Sequence, residues 1–216
     1  MARRGFFITF EGGEGGGKTT QAALLADALR KALPDREILV SRSPGGTPVA
    51  ERIRAVLKER TEGDDPVPET ELLLFAACHA QMSERLIRPA LARGAILIVD
   101  RFFDSTIVYQ GCARGLDPDW IRRIDDFACK GTVPDLTLLL DLPPEAGLHR
   151  TEKRAGQDSQ DRFDSETLEF HLRVRKGFQT LAAAEPERFA VIDASQLQDR
   201  VHARIMEVIR ERLDIL

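Results

Sequence analysis

The chain has 216 residues, 43% of them hydrophobic and 31% charged, a composition that suits one globular domain with a buried core. Its 31 basic and 35 acidic residues leave a net charge of −4, which argues against a surface for duplex nucleic acid. The longest apolar runs, residues 95–99 and 136–140, fall far short of the roughly 20 residues that a membrane span needs.

The opening MARRG runs directly into FFITF, too short an apolar stretch for a signal peptide, so a cytoplasmic location is expected. Residues 5–11 (GFFITFE) read as a strand. Residues 18–33 are helical in pattern, with Leu24, Leu25, Ala28 and Leu29 spaced for one face. Residues 37–41 form a second strand, and a helix over 48–60 opens after Thr47 with Pro48 at its first position. A long helical pattern covers 69–93, interrupted at most by Pro89, and Gly94 stands where a helix-ending glycine belongs. Residues 95–100 (AILIVD) are a central parallel strand by composition. Helices follow at 103–112 and 117–130, a strand at 136–141, and a helix at 144–154. After the polar stretch 155–163 come a helix over 165–184, a strand at 189–193 and a closing helix at 197–213.

Strands alternating with helices predict an open parallel α/β sheet covered on both faces. Ligands bind such a sheet beyond the carboxyl ends of its strands, where Glu11, Arg42, Asp100, Asp141 and Asp193 stand. Three widely spaced cysteines, Cys78, Cys112 and Cys129, form neither a CxxC pair nor a disulfide framework and are expected as reduced thiols, mostly buried.

The first strand leads into Gly12-Gly13-Glu14-Gly15-Gly16-Gly17-Lys18-Thr19-Thr20 and then a helix, which satisfies G-x-x-x-x-G-K-[ST] in its required strand–helix setting. Glycines let backbone N–H groups curl around phosphate oxygens, and the helix N-terminus adds its positive dipole end. Lys18 is then expected on the β- and γ-phosphates and the Thr19 hydroxyl on Mg²⁺. The loop points to a nucleoside triphosphate and a metal, and leaves the acceptor open. Asp100, ending a core strand, suits a second metal ligand, and Arg101 a bidentate phosphate clamp; a strand-end salt bridge reads equally well. Arg42, before the Pro44-Gly45-Gly46 turn, reads either as a second phosphate ligand or as a solvated arginine.

Taken together, these segments resemble the thymidylate kinase family in its bacterial form. The resemblance rests on FEGGEGGGKTTQ (10–21), RSPGGTP (42–48), ELLLFAACHAQ (71–81), DRFFDSTIVYQGCARGLD (100–117), PDLTLLLDLPPEAGLHR (134–150) and DRFDSETLEFHLRVRKGF (161–178), in family order along nearly the whole chain. It implies a three-layer P-loop NTPase fold in one domain over residues 1–216, with a five-stranded parallel sheet flanked by helices and a small lid near 144–164. The implied reaction moves the γ-phosphoryl group of ATP to dTMP, giving dTDP, with Mg²⁺ held by Thr19 and Asp100, in a homodimer.

The same resemblance implies that Phe75 stacks on the base, where its ordinary role would be a core phenylalanine. It puts Arg42 and Arg101 on the monophosphate, and Ser105, Thr106 and Gln110 at the base edge. Tyr109 is placed against the sugar and Glu14 at the sugar 3′-hydroxyl, with Asp104 and Arg114 in support. The loop has no arginine at its variable positions, and Arg150, Arg154 and Arg162 around the lid are expected to neutralise the transferring phosphoryl. Those arginines could equally form a solvated helix face.

The chain departs from the family pattern at Ser43, where an acidic residue is usual, and at His79, where an arginine is usual; Cys78 also replaces a polar residue. Phe75 and His79 are four apart on one helical face, which keeps His79 at the base. An imidazole can donate to a 4-oxo group or accept from a 4-amino group, so another pyrimidine monophosphate stays open as acceptor. A nucleotide switch with slow hydrolysis is the alternative from another class, but it leaves the acceptor-side arginines without a purpose.

Overall fold

The computed structural model describes residues 4–154 and 166–212, Arg154 by its backbone alone. Five strands lie in parallel in the order β2–β3–β1–β4–β5: β1 (Phe6–Glu11), β2 (Ile38–Arg42), β3 (Ile96–Asp100), β4 (Leu136–Asp141) and β5 (Phe189–Asp193). β1 and β3 are buried along nearly their whole length because helices cover both faces of the sheet, as their mostly apolar sequences require.

Helices α1 (Lys18–Ala32) and α9 (Gln198–Arg212) close one face, where Ile8 and Phe10 of β1 pack with Leu25, Leu29, Ile205 and Ile209. Phe7, Leu97 and Val99 turn to the other face and meet Ala50, Cys78, Met82 and Phe102. Those residues come from α2 (Pro48–Lys58), α3 (Pro68–Met82) and the segment after β3. A third cluster joins Leu139 to Tyr109 and to Phe170, Val174 and Phe178 of α8 (Leu168–Ala184). α7 (Pro144–Arg154) follows β4, and α6 (Pro118–Cys129) packs on α3.

The expected long helix over 69–93 is divided. α3 passes at Ser83–Ile87 into a wide π turn and then into α4 (Arg88–Ala92). Pro89 has no N–H to offer the carbonyl four residues back, and the wider turn absorbs the missing bond. The helix expected over 103–112 divides likewise into α5 (Phe103–Thr106) and a π segment, Ile107–Ala113, in which Arg114 N donates to Tyr109 O at 2.9 Å. Such wide turns redirect side chains and recur at functional sites; this one carries Tyr109 and Gln110.

Deep in the sheet, Arg188 donates twice to the fully buried Asp104, at 2.6 and 2.8 Å, and once to Thr137 Oγ1 at 2.8 Å. This bridge ties the start of β5 to α5 through β4. Removing one member leaves a buried charge uncompensated. Arg188→Met should therefore destabilise the fold by about 3–5 kcal/mol in urea unfolding.

Candidate active site

Strand β1 ends at Glu11 and the chain turns through the glycine loop into α1, whose N-cap is Gly17 in the left-handed region, with φ 84°. Gly15 also has positive φ, and a Cβ there would lie 2.2 Å from the carbonyl oxygen of Gly147 in α7. A Cβ on Gly147 would in turn lie 2.3 Å from the carbonyl oxygen of Glu14. Glycine on both sides is what brings α7 against the loop. α7 also carries Arg150, whose Nη1 donates to Ala194 O at 3.0 Å and reaches Gly15 O at 3.4 Å.

Lys18 folds back over the loop and donates to Gly13 O at 2.7 Å and Gly12 O at 3.2 Å. Burial, and then the Arg101 guanidinium, hold its pKa below the usual lysine value. Beside it the Thr19 hydroxyl donates to Asp100 Oδ2 at the end of β3. A hydroxyl and a carboxylate oxygen in contact are hard donors, few in number, as Mg²⁺ prefers beside a polyphosphate.

Arg101 follows directly, with φ 68°, a conformation uncommon for a residue with a Cβ and often met where function over-determines the backbone. Its guanidinium donates to Gly12 O at 2.9 Å, Ser105 Oγ at 3.1 Å and Glu14 Oε1 at 2.7 Å, and stands 5.1 Å from the Tyr109 ring centre. The Tyr109 hydroxyl donates to the same Glu14 oxygen at 2.8 Å. Burial alone would raise the Glu14 carboxyl, but Arg101, Lys18 and the Tyr109 hydroxyl pull it down to about 2.

Behind this pair lies the fully buried Glu11, which accepts from Phe102 N–H at 2.8 Å and Ser105 Oγ at 2.6 Å. It thus holds the backbone on the far side of Arg101. Burial, and then the negative Asp104, push its pKa up to about 8.

These groups open on one cleft of about 850 Å³, lined also by Arg42, Phe75, His79, Gln110 and Arg150. Arg42 pairs with Glu51 at 3.0 Å, and the other Glu51 oxygen accepts from Gly46 N–H at 2.9 Å, so a residue of α2 fixes both the arginine and its turn. The turn opens with a cis Ser43–Pro44 bond. Ser43 Oγ is buried and has no hydrogen-bond partner among the described residues. Phe75 is half-buried in the cleft wall. His79 lines the cleft but is only 1% exposed, with Nδ1 3.2 Å from Asp125 Oδ1 and its ring against Phe102. Gln110 donates to Glu71 at 3.1 Å, and Arg114 binds both Glu71 and Glu166.

Most of the expected residues therefore converge, with exceptions. Thr106 is buried behind the wall, its Oγ1 without a partner among the described residues. Asp104 is engaged by Arg188, and Asp141 is clamped by Arg175 at 2.8 and 2.9 Å. The Arg154 side chain and all of Arg162, with the polar stretch around it, lie outside the described residues. Sequence reasoning missed Glu51 and Glu71. An acidic residue in the first turn of a Thr-capped helix was a usable signal for Glu51; nothing marked Glu71 out from other helix carboxylates.

The thymidylate kinase family model matches residues 10–205. The chain belongs to the thymidylate kinase family. Over 212 residues it is 47% identical to the thymidylate kinase of Geobacter sulfurreducens, covering 97% of this chain and 98% of that protein. It is 48% identical over 209 residues to the thymidylate kinase of a Synechococcus strain, covering 97% and 96%. Among solved structures, thymidylate kinase from Ehrlichia chaffeensis superposes with a TM-score of 0.77 at 33% identity, over 96% of this chain and 99% of that one. The five-stranded parallel sheet is thus the sheet of a thymidylate kinase.

Glu11 gives a test of the site's electrostatics. Its folded pKa of about 8 lies above the ordinary 4.5, so the folded chain holds a proton that the unfolded chain releases in that window. Stability contributed by the neutral acid is full below the ordinary value and is lost as pH rises toward the folded one. Glu14 runs the other way: its contribution is present above the ordinary value and is lost as pH falls toward about 2. Glu11→Gln keeps an acceptor for Phe102 N–H and cannot ionise. Melting temperature followed across pH about 4.5 to about 8 should fall in the wild type and flatten in Glu11→Gln; equal slopes would mean that Glu11 is ionised in the folded chain.

Proposed function

We propose that the chain transfers the γ-phosphoryl group of ATP to dTMP, giving ADP and dTDP, and so serves dTTP synthesis in the cytoplasm. The observation that carries this is the single cleft that holds both the phosphate loop, with Lys18, Thr19 and Asp100, and an acceptor wall with Arg42, Arg101, Phe75 and Gln110. A hydrolytic switch has no use for the second set. No helix among the described residues is long and apolar enough to cross a membrane.

The acceptor is a phosphate oxygen, already anionic near neutral pH, so no general base is required. Catalysis then rests on alignment and on neutralising charge over the transferring phosphoryl. Lys18 and the backbone N–H groups of Gly13 through Thr20 bind the triphosphate. Thr19 and Asp100 would hold Mg²⁺, which supplies charge neutralisation when bound. Arg101, fixed by Glu14, Gly12 and Ser105, is a preorganised cation for the monophosphate, and Arg42, held more loosely by Glu51 at the solvent edge, is a second cation. Arg150, with Arg154 and Arg162, would serve the lid near 144–164, which excludes water while transfer occurs. Phe75 offers an aromatic face to the base, with Ser105, Gln110 and His79 at its edge and Tyr109 toward the sugar; Thr106 stands behind that wall.

A single domain carries the reaction in this reading, and two copies pair as a homodimer. Support for pairing comes from apolar side chains exposed on the adjoining helices α3 and α6: Leu73 at 60%, Trp120 at 62% and Phe127 at 84%.

His79 favours a second acceptor as a specific alternative. Its Nδ1 faces a carboxylate and so carries a proton. Nε2 of the neutral ring is then an acceptor, which suits a 4-amino group; only the doubly protonated ring donates to a 4-oxo group. ADP formation from Mg-ATP with dTMP, dUMP, dCMP, UMP or no acceptor, with products resolved by chromatography, decides. Strong dTDP formation from dTMP alone is expected. Preference for dCMP would move the substrate, and acceptor-independent hydrolysis would overturn the reading. Lys18→Ala should lower transfer by about 100-fold or more while leaving the melting curve in place.

A further inference from the structure

One cluster lies mostly outside the chemistry above: of its three members only His79 lines the cleft. Asp125 and Cys129 stand four apart on α6 and face His79 of α3, and their ligand atoms all lie within 4.8 Å of one another. All three are buried, at 4%, 4% and 1% exposure. We propose that His79, Asp125 and Cys129 form a structural site for Zn²⁺ or a similar late first-row divalent cation, which clamps α3 to α6 beneath the cleft.

The donor set is the first argument. Imidazole nitrogen, carboxylate oxygen and thiolate sulfur are the ligands Zn²⁺ combines in closed sites, and sulfur disfavours Mg²⁺ and Ca²⁺. Spacing is the second. A tetrahedral Zn²⁺ sets N and O about 3.3 Å apart, and sulfur about 3.6 Å from either, given bonds of about 2.0 and 2.3 Å. His79 Nδ1 and Asp125 Oδ1 are already 3.2 Å apart. Cys129 closes the set by a shift of roughly an ångström at most. The Ser83 hydroxyl, one turn past His79, adjoins the thiol and offers an oxygen for the remaining position.

Electrostatics are the third argument. Asp125 Oδ2 is buried with no hydrogen-bond partner among the described residues. A buried carboxylate left with a free oxygen is costly. The surroundings are negative: burial, and then Asp125, Asp126 and Asp104, push the Cys129 thiol up, so the metal-free group is a neutral thiol. A divalent cation satisfies the orphaned oxygen. On binding, the Cys129 S–H bond gives way to a sulfur–metal bond and the proton leaves to solvent.

Occupation would also bear on the base. With Nδ1 on a metal, the neutral ring keeps its proton on Nε2 and presents a donor there. That consequence rests on the proposed acceptor reading; the site itself does not.

The test uses the full chain titrated with Co²⁺, whose thiolate complexes absorb strongly in the near ultraviolet. One equivalent bound with such a band is expected. The band should be lost in Cys129→Ala and weakened in Asp125→Asn, and should persist in Asp100→Asn, which alters the site at the phosphate loop. Zn²⁺ should raise the melting temperature of the wild type and leave Cys129→Ala unmoved. Should Cys129→Ala fail to fold, His79→Gln is the second variant. Absence of a thiolate band at saturating Co²⁺, or a band that survives loss of Cys129, overturns the site whatever acceptor the enzyme prefers.

Discussion

Two cations converge on one carbonyl. Lys18 Nζ and Arg101 Nη1 both donate to Gly12 O, at 3.2 and 2.9 Å. Like charges held so close and so far from water repel strongly, so the structure must surround them with anions. Glu14 lies directly on Arg101 and Asp100 adjoins Thr19, while Glu11, its carboxyl pushed up by burial, supports the backbone beyond as a neutral acid. What results is a positive cradle tied together by the chain's own groups. In the proposed reaction, a cradle held in place beforehand leaves little reorganisation to the reacting complex.

This constraint reaches into the fold. Arg101 meets the loop with its backbone in the left-handed region, and Glu11 stabilises that turn by binding Phe102 N–H and Ser105. Glu11 comes from β1 and the turn from β3, paired neighbours in the sheet, so the register of the two strands sets the distance. Asp104, one position before Ser105, is anchored by Arg188 at the entry to β5. The chain from Arg188 through Asp104 and Ser105 to Arg101 is continuous and links the far edge of the sheet to the cleft.

Much of this was legible in the residues because its signals are local. A glycine loop between strand and helix, and apolar strands ending in charge, depend on spacing alone. Where expectation and structure part, the cause is non-local or lies in a missing donor. Pro89 splits one helix because a carbonyl loses its partner. The π segment over Ile107–Ala113 looks like an ordinary helix in periodicity, yet it sets the directions of Tyr109 and Gln110. Glu71 looked like any helix carboxylate until Gln110 and Arg114 closed on it from another segment. His79 was expected at the base by its spacing from Phe75; its tie to Asp125, 46 positions away, leaves no mark in either neighbourhood.

The departures from the family pattern are related in space. Cys78 lies against the turn that follows Ser43, with Sγ 3.7 Å from Ala50 O and a bond to the backbone of Gly45. Burial pushes its thiol up to about 12, so it is neutral and packs as a small apolar group. The Arg54 guanidinium also acts on this thiol and donates to Pro44 O at 2.7 Å, so a cation stands behind the turn. Ser43 brings no charge to this turn, and the carboxylate that holds Arg42 and Gly46 is Glu51, at the solvent edge. Its charge is largely hydrated, so the grip on Arg42 is weaker than a buried pair would give. Arg42 is thus held more loosely than Arg101, and in the proposed reaction it is the arginine free to adjust to a monophosphate.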